Sequence, residues 1–277
     1  MSMGKLYLVA TPIGNIEDMS YRAVRILSEV DVVYAEDTRH SRKLWQRFDI
    51  ETRLQSLHEH NEKQKIESVL ARIESGDNVA LISDAGTPAI SDPGFPLVRA
   101  CREVGIDVVP IPGACAAIAA VSASGLPTDK FTFLGFPPDA QGARKRWLQD
   151  NSAYKGTLIL YLSPYKAARH LQDIGEVWGE RKAVLVRELT KIYEEFRSGS
   201  LHELAARVAE EGIKGELTLV VEGALEEEVE VADIENEATN LAEQGMSVRD
   251  IADELRKRYQ IKRKEAYDLA LAVSDKQ

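Results

Sequence analysis

Apolar positions in the first part of the chain switch repeatedly between two periods. Short apolar runs predict strands over 6–9, 31–35, 54–58, 79–82 and 108–111. Between them, apolar residues at helical spacing predict helices over 21–30, 41–48, 62–75, 95–104 and 114–122. In the first helix Ala23, Val24, Ile26 and Leu27 supply the buried face, with the cap near Ser20. Strand and helix in alternation imply a mainly parallel sheet covered on both faces. Gly125-Leu126-Pro127-Thr128 breaks the pattern, and residues 126–131 read as a domain boundary. Further strands are predicted over 131–134, 157–162, 183–187 and 216–222, and helices over 144–149, 166–177 and 200–211, the last opened by a capping box from Ser200 to Glu203. An acidic linker, 226–230, leads to predicted helices over 234–243, 247–259 and 263–273, a small unit of helix-turn-helix type. The expected organisation is an α/β domain over 1–125, a second α/β domain over 126–230 and a helical tail over 231–277.

The stretch 81–94 dominates this pattern. It leaves a buried strand and carries Gly86, Pro88 and Gly94, residues that fix unusual backbone shapes. Asp92-Pro93 reads as a helix cap followed by proline at the first helical position. Ligands of α/β proteins bind at such strand ends, although a tight structural turn has the same composition. Asp84 and Asp92 favour a ligand with hydroxyls or positive charge over a phosphate. The first loop, Thr11-Pro12-Ile13-Gly14-Asn15, is neither a dinucleotide fingerprint nor a P-loop. A third strand end carries Glu36-Asp37-Thr38-Arg39-His40, a cluster of titratable groups.

Composition adds boundaries. The 277 residues, 44% hydrophobic and 29% charged, suit a globular protein with ample core. No apolar run approaches a membrane span and no signal-peptide pattern is seen, so the expected compartment is the cytoplasm, with no membrane partner. Cys101 and Cys115 lie in apolar helical contexts and read as small core residues. His58 and His60, predicted on one face of a strand, lack further ligands at zinc spacing, so no metal is expected. The net charge of −10 argues against nonspecific coating of nucleic acid. Basic clusters nonetheless occur at Arg39, Arg42 and Lys43; at Arg144, Lys145 and Arg146; and, most densely, at Arg256, Lys257, Arg258, Lys262, Arg263 and Lys264. Each reads either as a solvated helix face or as an RNA contact.

Seven motifs taken in order resemble the tetrapyrrole (corrin/porphyrin) methylase superfamily, and within it the branch acting on small-subunit ribosomal RNA. They are Val9-Ala10-Thr11-Pro12-Ile13-Gly14-Asn15, Ala35-Glu36-Asp37-Thr38-Arg39-His40, Leu57-His58 with His60-Asn61, Ser83-Asp84-Ala85-Gly86-Thr87-Pro88, Ser91-Asp92-Pro93-Gly94, Val109-Pro110-Ile111-Pro112-Gly113 and Arg187-Glu188-Leu189-Thr190-Lys191. The resemblance covers essentially the whole chain. It implies two α/β domains with S-adenosylmethionine in the cleft between them, a homodimer, and methylation of a cytidine ribose 2′-hydroxyl in the decoding centre of 16S ribosomal RNA. It also places Pro12, Ile13, Asp84, Thr87, Ile90, Cys115, Ala116, Tyr161 and Leu162 around the cofactor. The chain departs from the branch at Tyr161-Leu162-Ser163-Pro164-Tyr165-Lys166, where Tyr/Phe-Glu-Ser-Pro-His-Arg is usual.

Methyl transfer to a hydroxyl needs alignment within about 3 to 3.5 Å, and a base or cation helps a weak nucleophile. The candidates are Asp37, Arg39 and His40 at one strand end and Glu188 and Lys191 at another, with Asp37 or His40 as base and Arg39 or Lys191 on phosphate. Each of these groups also fits a salt bridge or a helix cap. Two other readings are an enzyme of the same fold acting on a tetrapyrrole precursor and a non-catalytic ribosome-assembly factor that binds RNA. The tail fits RNA contact or a stabilising appendage.

Overall fold

The structure, a computed structural model, describes residues 3–224, 231–259 and 261–274. The expected acidic linker at 226–230 lies outside the described residues. The chain divides into two compact units, Met1–Ala224 and Leu225–Gln277.

The first unit begins with β1 (Leu6–Val9), α1 (Tyr21–Glu29), β2 (Val32–Ala35), α2 (Thr38–Phe48), β3 (Leu54–Ser56), α3 (Glu62–Glu74), β4 (Val79–Ile82), α4 (Phe95–Glu103), β5 (Val108–Ile111) and α5 (Ala116–Ala123). The five strands pair parallel in the order 3-2-4-1-5. Period-2 alternation sends Val33 and Ala35 to the face covered by α1 and α2, and Val32 and Tyr34 to the face covered by α3 and α4. Ser20 caps α1 by accepting from the Ala23 N–H at 3.1 Å.

The chain continues with β6 (Phe131–Gly135), α6 (Gln141–Asp150), β7 (Thr157–Leu162), α7 (Ala167–Trp178), β8 (Lys182–Arg187), β9 (Glu195–Ser200), α8 (Leu201–Glu211) and β10 (Leu217–Val221). These strands form a second sheet in the order 6-7-10-8-9. Only its β6–β7 pair is parallel, so the mainly parallel arrangement applies to the first sheet and not to this one. The link from β8 to β9, residues 188–194, is too short for a crossover helix and forces an antiparallel hairpin. β9 escapes prediction because Glu-Phe-Arg-Ser-Gly-Ser carries a single large apolar residue, as befits an edge strand. One face of this sheet packs against α6, α7 and α8. Ala117, Ala120 and Val121 of α5 cover the other face, against Ile159, Val184, Val186 and Val220, so a helix encoded with the first sheet joins the two sheets through small side chains.

Several local expectations need correction. α2 starts at Thr38 because Asp37 caps it, three residues before the apolar period becomes visible. β3 ends at Ser56, so His58 and His60 share a loop, where His58 Nε2 lies 2.9 Å from Asn61 Nδ2. The basic cluster at 144–146 dissolves: Arg144 is fully buried, and its Nε donates to Asp173 Oδ2 at 2.8 Å. Among the described residues, no helix is long and apolar enough to cross a membrane, and no group of three or more His, Cys, Asp or Glu could hold a metal ion.

The second unit holds α9 (Val231–Glu243), α10 (Val248–Tyr259) and α11 (Arg263–Ser274). Ile234, Ala238, Ile251, Leu255, Ala266 and Ala270 form its core. The Ser247 Oγ caps α10, accepting from the Asp250 N–H at 3.3 Å.

Candidate functional site

Because all strands of the first sheet run the same way, the loops leaving β1, β4 and β5 gather at one edge. They are stitched together by backbone: Thr11 N donates to Gly86 O at 2.9 Å and Gly86 N to Thr11 O at 3.0 Å. The Thr87 hydroxyl donates to Ala114 O at 3.1 Å, tying in the loop after β5. Ala89 (φ 67°) and Ser91 (φ 65°) sit in the left-handed region, which costs L-residues on the order of 1–3 kcal/mol each and concentrates at functional sites. The expected Asp92-Pro93 cap is not formed. Gly94 at φ 132° is the N-cap of α4, and the proline in the first turn is Pro96. Only glycine adopts that φ freely, and Asp92 is thereby released from capping.

The opposite wall comes from the second sheet. The ends of β7 and β8 and the start of β10 share an edge, since Leu217 pairs with both Leu162 and Arg187. The Tyr161 hydroxyl accepts from the Ala117 N–H at 3.2 Å at the start of α5, while its ring meets Phe133 and Phe136 edge-on at 4.7 and 5.5 Å. Burial pushes the Tyr161 phenol up to about 12. The segment after β8 is a second strained strap, with Glu188 at φ 50° and Thr190 at φ 66°. Glu188 Oε1 accepts from the Glu216 N–H at 2.8 Å and from Lys191 Nζ at 2.9 Å. These two donors, the backbone one foremost, hold the Glu188 carboxyl below its usual range. Burial opposes the Lys191 charge, but Glu188 and Glu216 outweigh it and keep the ammonium above its usual value. The strap meets the first loop where Asn15 N donates to Thr190 Oγ1 at 3.0 Å.

Between these walls lies a cavity of about 360 Å³, within the range typical of small-molecule sites. Of the residues expected around a cofactor, Ile13, Thr87, Ile90, Cys115, Ala116, Tyr161 and Leu162 line it. Pro12 and Asp84 do not; the Asp84 carboxylate instead accepts from the Asp37 N–H at 3.0 Å. None of the expected catalytic side chains, Asp37, Arg39, His40, Glu188 and Lys191, is in the lining. Asp92, Phe136, Val186, Leu189, Glu216 and Thr218 also line the cavity and were not among the residues expected around a cofactor. In the sequence Asp92 reads both as a helix cap and, with Asp84, as a carboxylate favouring a cationic or hydroxyl-bearing ligand, but not as a cofactor contact; Glu216 and Thr218 flank the start of β10 and carry no turn signal.

Asp37 caps α2 and is clamped by its neighbour. Its carboxylate accepts from Arg39 N at 2.8 Å, Nε at 3.1 Å and Nη2 at 2.7 Å, which holds it far below the ordinary carboxylate range. Glu36 and Asp92 move the other way. Burial raises Glu36, and Asp84 and Asp92 add to the effect. Burial also raises Asp92, with Asp84 adding and the Ser83 hydroxyl opposing. The cavity therefore has apolar walls, two carboxylates in its lining (Asp92 and Glu216) and several hydroxyls, a set that suits a cationic ligand with an apolar ring.

The family described as Tetrapyrrole (Corrin/Porphyrin) Methylases matches residues 5–205. A protein of Escherichia coli O157:H7 named ribosomal RNA small subunit methyltransferase I is 51% identical over 225 residues, 80% of this chain and 79% of its own length. A Synechocystis protein of the same name is 44% identical over 275 residues, 98% of this chain and 99% of its own. Among solved structures, the cobalamin biosynthetic enzyme cobalt precorrin-4 methyltransferase aligns with a TM-score of 0.60 at 19% identity, covering 79% of this chain and 94% of that one, a likeness of fold.

Proposed function

Since the chain belongs to the tetrapyrrole (corrin/porphyrin) methylase family, we propose that it transfers a methyl group from S-adenosylmethionine to the 2′-hydroxyl of a cytidine ribose in the decoding centre of 16S ribosomal RNA. The observation that carries the cofactor half of this reading is the chemistry of the cavity. Ile13, Ile90, Leu162, Val186 and Leu189 offer apolar surface for an adenine face, and Asp92 and Glu216 offer negative charge to a cationic ligand. When bound, S-adenosylmethionine supplies an activated methyl group on a positively charged sulfur. The chain's own task is then to align the hydroxyl, exclude water and accept a proton.

The RNA half is supported by the full-length match to a relative named for that substrate, which runs through the helical tail. In this reading Thr87, Cys115, Ala116 and Tyr161 complete the cofactor contacts, Pro12 and Asp84 set the loops behind them, and Arg39, His40 and Lys191 meet the RNA. The protein acts as a homodimer. Incubation with labelled S-adenosylmethionine and small ribosomal subunits lacking the modification, followed by mapping of the label, tests the reading. Label on a decoding-centre cytidine ribose is the expected result. A parallel incubation with a porphyrinogen or precorrin that takes up label while the RNA takes up none would replace it with the tetrapyrrole reading.

A further inference from the structure

Proton removal from the attacking hydroxyl has no assigned acceptor at the cavity itself. We propose that Asp92 is the catalytic base that takes this proton; the inference rests on the methyl transfer to a ribose hydroxyl proposed above. Two carboxylates line the cavity, Asp92 and Glu216. Glu216 is tied to Lys191 Nζ at 3.1 Å, and its side chain is 71% exposed. Asp37 is clamped by three donors of Arg39 and does not line the cavity.

Asp92 differs on each count. It sits next to the left-handed Ser91, on the loop that Gly94 rather than Asp92 joins to α4, so its carboxylate is not spent on helix N–H groups. The Ser83 hydroxyl contacts it but has one proton to divide between Asp92 and the Ala85 carbonyl 3.2 Å away. The titratable groups facing Asp92 are Asp84 of its own loop, Glu36 from the end of β2 and the Tyr161 hydroxyl from β7, none of them a cation. Burial and the Asp84 charge both favour the protonated form of Asp92. A carboxylate whose proton affinity lies above the ordinary range accepts a proton more readily than one held down by arginine.

The step balances. The hydroxyl proton passes to the Asp92 carboxylate, and the hydroxyl oxygen forms the new bond to the methyl carbon. The carbon–sulfur bond breaks with its electron pair going to sulfur, leaving a neutral thioether. The positive charge that began on the sulfonium leaves as the proton on Asp92, which then passes to solvent.

The test compares the unaltered chain with Asp92→Asn and Asp92→Glu. It measures S-adenosylmethionine binding by calorimetry, single-turnover methylation of unmethylated small subunits, and the pH dependence of that rate. Asp92→Asn is expected to turn over 10²- to 10⁴-fold more slowly (on the order of a lost general base), while binding, to which its charge also contributes, weakens by no more than about tenfold. In the unaltered chain the rate should fall on the acid side with a midpoint above the ordinary carboxylate value of about 4; this limb should vanish in Asp92→Asn, and Asp92→Glu should restore part of the rate. Normal turnover in Asp92→Asn would overturn the inference, as would an unaltered acid limb or a loss of binding that matches the loss of rate. If Asp92→Asn does not fold, a flat acid side in the unaltered chain overturns it instead. No label on ribose hydroxyls with the unaltered chain would overturn the underlying reading, and the inference with it.

Discussion

In the first sheet every strand runs the same way, so β1, β4 and β5 deliver their loops to one edge; in the second, β10 opposes β7 and β8, so the facing edge holds two strand ends and one strand start. The two regions build one cavity by different means. The parallel half supplies a backbone-stitched loop cluster, and the mixed half supplies side chains and a strained strap. They also differ in how they bury charge. The second half encloses Arg144 and Asp173 with the neutral His170 nearby, whereas the buried acid of the first half, Glu62, accepts one backbone N–H, from Leu97, at 3.4 Å. Both sheets rest on apolar layers, and the mixed one adds buried polar anchors that can be removed one at a time.

Removing the strongest anchor should have the largest effect. Asp173→Ala leaves the fully buried Arg144 with only the carbonyls of Pro138 and Asp139, at 2.8 Å each. A broken buried pair costs about 3–5 kcal/mol, measurable as a lower urea midpoint. Next comes His170, whose two ring nitrogens are buried without hydrogen-bond partners and whose imidazole is pushed down to about 4 by burial and by the charges of Arg144 and Arg169. An unfolded histidine titrates near 6.5 and the folded one lower, so the unfolded state binds the extra proton. Stability should therefore fall as the pH drops from about 6.5 to about 4, by on the order of 3 kcal/mol. His170→Leu should flatten that limb of the pH–stability curve; an unchanged slope would show that other groups carry it.

Gly14→Ala probes the junction between the two loop systems. A Cβ there would lie 2.5 Å from Lys191 Cγ, 2.9 Å from Thr190 Oγ1 and 3.0 Å from Leu189 O. Lys191 cannot swing aside freely because Glu188 and Glu216 both hold it. The overpacking should cost about 1–3 kcal/mol in thermal unfolding and weaken donor binding, because Ile13 and Leu189 on either side of the junction line the cavity.

The same contrast explains what could be read from the chain. The first sheet was legible because buried parallel strands are continuous apolar runs whose Gly- and Pro-marked loops all fall on one edge. The family resemblance carried by those loops named Ile13, Thr87 and Ile90, which lie at the cavity. Gly215, Glu216 and Thr218 lie there too, yet nothing local marks them, since their position depends on β10 running against its neighbours. Asp37 and Asp92 show a subtler limit. Both looked like carboxylates at strand ends, and the competition for helix caps, decided by Gly94 in one case and by Asp37 itself in the other, sorted them.

Tyr161→Phe should have the smallest effect and gives the sharpest test of how the halves are joined. The hydroxyl accepts one backbone N–H, that of Ala117, across the boundary between β7 and α5. A neutral hydrogen bond of this kind contributes about 1 kcal/mol net. The ring, packed edge-on against Phe133 and Phe136, is kept by phenylalanine, so the loss isolates the polar link from the apolar one. If that link sets the cavity's width, donor affinity should drop several-fold and the unfolding midpoint should fall by about 2–4 °C, as about 1 kcal/mol implies. If α5 is fixed only by Ala117, Ala120 and Val121 against the second sheet, stability and affinity should both stay at wild-type values, and the join between the sheets would then be a matter of packing alone.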